Sequence, residues 1–161
     1  MSPPGLPKES APVTHHYPSD DHVERIGLGL IGRTLPKPQW THAAHFAAAL
    51  WLLRAHGPEE TAARMPAIIR AYNTATGVAN TDASGYHETI TLASIRAARA
   101  VLAARPGEAL HEVLDALMAT PLGRPDWLLA CWSKDLLFSP AARSGWVEPD
   151  LAPFDPQRFA T

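Results

Sequence analysis

The chain has 161 residues, 46% hydrophobic and 19% charged, a composition that suits one globular domain with a core of its own and excludes a disordered or fibrous chain. Fourteen Lys and Arg against sixteen Asp and Glu leave a formal net charge of −2, and the basic residues are scattered, so no nucleic-acid-binding surface is expected. With Cys131 as the single cysteine, neither an intrachain disulfide nor a cysteine zinc site can form, which fits a cytoplasmic setting.

Residues 1–19 hold several prolines and no apolar stretch of signal-peptide type, and they read as a flexible tail with His15 and His16 solvated. The helical domain is expected over 20–138. Its first helix, "DHVERIGLGLIGRTL", starts on the cap of Asp20 or Asp21 and is weakened by Gly27, Gly29 and Gly32. "PKPQ" then resets the chain. The second helix runs from Thr41, a good cap, to His56, with Gly57-Pro58 as its stop. No residue from His42 to Leu53 is charged, so this helix belongs at the centre of the fold. Its apolar run is far shorter than the roughly 20 residues of a membrane span, and no membrane partner is expected.

A third helix covers "PEETAARMPAIIRAYNTATG", with Pro66 predicted to kink or break it. The fourth, "YHETITLASIRAARAVLAA", is expected to be capped by Ser84 or Gly85, and the fifth is "EALHEVLDALMA". A last short helix is predicted in "PDWLLACWSKDLLF". Residues 139–161 form a proline-rich strap packed on the bundle, with Trp146, Leu151 and Phe154 as anchors. The fold class is all-α, a compact bundle of about five to six helices with irregular N- and C-terminal segments.

Two stretches carry candidate chemistry. In "WTHAAHFAAALWLLRAHG", His42 and His45 stand one turn apart and can aim both imidazoles at one point. In "ASGYHETITLASIRAARA", His87 and Glu88 fall in the first turn of the fourth helix, with the Tyr86 hydroxyl beside them. Glu88 also suits that position as a simple partner of the helix dipole, and a histidine pair can equally serve as buried structural polar groups. Tyr72 and Asn73, just upstream, are candidate substrate contacts. His111 reads as a surface residue and Cys131 as a small packed one.

Together "WTHAAHFAAALWLL", "IIRAYNTATGV", "GYHETITLASI" and "LFSPAARSGWVEPDLAP" resemble a family of small bacterial helical proteins with a His-x-x-His turn followed by a Tyr-His-Glu-Thr segment. The resemblance covers roughly residues 20–153. It implies that His42, His45, His87 and Glu88 act together, and it implies no particular reaction.

The expectation is a metal-dependent enzyme for a small molecule. His42, His45 and His87 would bind a divalent transition metal (Zn, Fe, Cu or Ni), with Glu88 and Tyr86 as catalytic groups. The alternatives are a metal-free small-molecule site walled by Trp40, Trp51 and Tyr86, or a structural or partner-binding helical domain.

Overall fold

The structure, a computed structural model, describes residues 15–160. Among the described residues the chain forms seven α-helices: α1 (Asp20–Ile31), α2 (His42–His56), α3 (Pro58–Ala75), α4 (Glu88–Ala103), α5 (Leu110–Met118), α6 (Lys134–Leu137) and α7 (Pro140–Ser144). No strand occurs there, only an isolated antiparallel bridge between Thr81 and Ser84. The fold is all-α, and no described helix is long and apolar enough to cross a membrane.

The central helix is α2, which packs against α1, α3, α4 and α5. Thr41 caps it through Oγ1, which accepts the Ala44 N–H at 3.2 Å, and Gly57 at φ 82° stops it. Phe46, Leu50 and Leu52 are fully enclosed, each worth about 1.5–3 kcal/mol of apolar burial. Gly27 of α1 is buried where the Trp51 indole rests. A Cβ there would lie 2.7 Å from Trp51 Cδ2 and closer still to Cε3. Gly27, expected only to weaken its helix, is what lets α1 and α2 approach closely.

Of the two outcomes expected at Pro66, a break does not occur: α3 runs as one helix from Pro58 to Ala75. The missing N–H deprives one internal carbonyl of its partner, and the helix is supported by packing on α1, α2 and α4.

Helix α4 is capped by neither Ser84 nor Gly85. His87 itself is the cap, its Nδ1 accepting the Ile90 N–H at 3.1 Å. Helix α5 has Ala109 at its cap position, which has no side-chain acceptor to offer. Asp20 supplies one from the start of α1: its carboxylate accepts the Leu110 N–H at 3.1 Å, the His111 N–H at 2.8 Å and the His111 Nδ1–H at 2.7 Å. His111, expected at the surface, is therefore a partner of Asp20.

Two further departures concern the termini. Residues 1–14 lie outside the described residues, whereas 15–19 are pinned to the body. His15 pairs with Asp115, the His16 N–H donates to Asp115 at 3.0 Å, and Tyr17 packs on the core. The single helix expected in "PDWLLACWSKDLLF" divides into a 3-10 turn (Trp127–Ala130) and α6, and α7 follows. Ser133 and Ser139 restart the chain by capping α6 and α7. In the segment after α7, Trp146 and Phe154 pack against the core and Phe159 meets Trp127, whereas Leu151 is 60% exposed.

Candidate functional site

The start of α2 and the N-terminal half of α4 form two sides of a cleft of about 460 Å³. His42, His45 and Phe46 come from α2, and Ile90 and Ser94 come from α4. The segment around Trp127–Leu129 and the Leu137-Phe138 pair close it. Its walls are mostly apolar, in the size range typical of small-molecule sites. Trp127, Leu137 and Phe138 were not singled out from the sequence, since isolated apolar residues in a turn-rich stretch carry no periodic signal.

Each of the two histidines has one ring nitrogen fixed by a backbone carbonyl. His42 Nε2–H donates to Leu122 O at 2.7 Å, and His45 Nδ1–H donates to Thr41 O at 2.6 Å. A carbonyl can only accept, so those nitrogens carry the protons. In the neutral rings, His42 Nδ1 and His45 Nε2 are left as acceptors. The Trp40 indole stacks on the His45 ring. His45 is an exposed residue, yet the protein packed around its ring, the indole included, desolvates the imidazole enough to lower its pKa below the ordinary histidine value. The bond to Thr41 opposes that shift and the neighbouring His42 adds to it.

His87 does not join them. It is buried, with Nε2–H donating to Leu137 O at 2.6 Å and Nδ1 accepting the Ile90 N–H, so both ring nitrogens are occupied. Burial pushes its pKa down, the Leu137 bond opposes this, and the charge of Arg143 adds to the lowering. Its contribution to the cleft is indirect: it holds Leu137, a wall residue, against α4. The anticipated metal set of His42, His45 and His87 therefore does not fit. A ring with both nitrogens bonded has no lone pair for a cation. Among the described residues no group of three or more His, Cys, Asp or Glu is placed to hold a metal ion.

The other anticipated residues lie elsewhere. Tyr86 is buried and donates its hydroxyl to Glu88 Oε2 at 2.7 Å; burial first and Glu88 second push its pKa far above the usual phenol value. This pair is away from the cleft and braces the entrance of α4. Tyr72 is buried and donates to Leu35 O at 2.9 Å, which ties α3 to the chain after α1. Asn73 donates to Asn80 Oδ1 at 3.0 Å, and the same oxygen accepts the Tyr86 N–H. That latch requires glycine at 85, where φ is 80° and a Cβ would lie 2.5 Å from Ala79 O. Trp40, Trp51 and Tyr86, expected as walls of one pocket, occupy three places: over His45, under Gly27 and beside Arg70.

Family models, curated proteins and solved structures yield no match to this chain.

Proposed function

We propose that the chain binds a compact, mostly apolar small molecule that carries a hydrogen-bond donor, in the cleft between α2 and α4. The observation that carries this reading is the pairing of His42 and His45 at one apolar cleft, each with its protonated nitrogen committed to a backbone carbonyl. Two acceptor nitrogens beside apolar walls suit a hydroxyl or N–H on an otherwise apolar body. His45 stays neutral to lower pH than an ordinary histidine, which keeps its acceptor available at neutral pH.

The family resemblance enters this reading in one respect. His42 and His45 face the ligand, while His87 and Glu88 support the α4 side of the site. A cytoplasmic setting belongs to the same proposal and is supported by the use of one unpaired cysteine.

A matched pair of probes tests it. 4-Propylphenol has an apolar body and one donor; 4-propylanisole has the same body with the donor methylated. In calorimetric titrations the phenol should bind more tightly, by roughly 3- to 10-fold, the effect of one hydrogen bond. His45→Ala should reduce that difference, and Ser94→Trp, which fills the cleft, should abolish binding of both. Equal affinity for both probes, or binding untouched by Ser94→Trp, would sink the proposal.

A further inference from the structure

A second, polar cavity of about 180 Å³ opens beside Tyr86, between the end of α3, the loop after it and α7. Two guanidinium groups line it, Arg70 from α3 and Arg143 from α7. Arg64, Arg105 and Arg124 each face a carboxylate within ion-pair distance, whereas Arg70 and Arg143 have no carboxylate partner among the described residues. Arg70 lies over the Tyr86 ring, 4.4 Å from its centroid, which steers the guanidinium without neutralising it. Arg143 Nη1 donates to Gly85 O at 2.9 Å, and its Nε is buried with no acceptor.

Two further groups matter. Thr81 Oγ1 accepts the Ala83 N–H at 3.2 Å and keeps its own proton to donate. Asp82 is the one acidic residue among the lining side chains; it offsets part of the positive charge and leaves the pair with net excess. Glu88 does not line the cavity; it accepts the Tyr86 hydroxyl and keeps its negative charge behind that ring. Guanidinium donors from two different helices, with a hydroxyl beside them, match the acceptor oxygens of a tetrahedral oxyanion better than any cation or apolar group.

We propose that this cavity is a phosphate-binding site, with Arg70 and Arg143 as the two guanidinium clamps and Thr81 as a hydroxyl donor. It uses no cleft residue and stands separately from the cleft.

The test is an NMR titration of the full chain, observing backbone amides while sodium phosphate replaces sodium chloride at constant ionic strength. Phosphate should shift the amides of Thr81, Tyr86 and Ser144 saturably. Arg70→Gln, an exposed side chain whose loss spares the core, should weaken binding about tenfold or more, the loss of a charge-assisted pair. Arg96→Gln, whose guanidinium lies over Trp146 instead, should leave it unchanged. Ser94→Trp should also leave it unchanged, even where it closes the cleft. Phenyl phosphate as a second probe separates the sources: tighter binding than phosphate points to an esterified ligand, and equal or weaker binding points to the free ion. Shifts that grow without saturation, or an equal response in Arg70→Gln, would overturn the proposal.

Discussion

The Trp40 indole lies flat against the His45 imidazole, with ring centroids 3.7 Å apart and planes at 27°. The Tyr72 ring meets the other side of the region edge-on, 5.6 Å from Trp40. Trp40 is thus the cover that keeps water off one face of a cleft histidine. Trp40→Ala should raise the His45 pKa toward the ordinary value of 6.5. Following the imidazole proton resonances against pH checks this; an unmoved midpoint would show that the cleft walls, not the indole, desolvate the ring.

His87 joins two structures with one ring, capping α4 and satisfying the Leu137 carbonyl. His87→Ala removes a cap and orphans a buried acceptor, and should destabilise by about 2–4 kcal/mol. His87→Asn can restore the cap but is too short to serve both partners, so it should recover about 1 kcal/mol. Urea unfolding of the three proteins measures both numbers. Equal losses for the two variants would mean the cap contributes nothing.

Stability should fall with acid in two separate steps. His45 and His87 both have folded-state pKa values below 6.5, so the unfolded chain takes up protons first as pH falls below that value. Their contribution is complete above pH 6.5 and is lost as pH falls through the depressed folded values. Asp20 and Asp115 are lowered from 3.8, by hydrogen bonds to His111 and Leu110 and to His15 and His16 that outweigh burial. Their contribution is lost only below about that value. Thermal melts across the range should show the first decline in wild type and a smaller one in His87→Asn.

Gly27→Ala should cost about 1–3 kcal/mol, the usual range for overpacking, because the new methyl meets the Trp51 ring rather than open space. Trp51→Leu should relieve part of that loss in the double variant. Denaturation midpoints of the two single variants and the double one form the required cycle, and strict additivity would show that the contact is not the cause.

Long-period features were legible in the sequence, and features set by single contacts were not. Helix α2 could be placed and capped because twelve residues without a charge and a Thr at the boundary point the same way. The failures share one cause. The local cost of Pro66 allows a break, which α3 avoids while packing on three helices. His87 was weighed as a ligand, although an imidazole can take the place of a capping hydroxyl when a distant carbonyl fixes its tautomer. The spacing of His42 and His45 placed them on one cleft, but the walls opposite come from 127–129 and 137–138, whose arrival depends on tertiary folding alone. Arg70 and Arg143, 73 positions apart, gave no local signal of their meeting.

The Asp20 carboxylate closes the first turn of α5 from 90 residues upstream. A nine-residue helix is too short to persist by itself in water, and α5 lacks a cap of its own. Its formation is therefore tied to the docking of α1, so the two should appear in a single kinetic event rather than in sequence. In native-state hydrogen exchange, the Leu110 and His111 amides should open together with the core amides of α1, as one cooperative unit that joins distant parts of the chain.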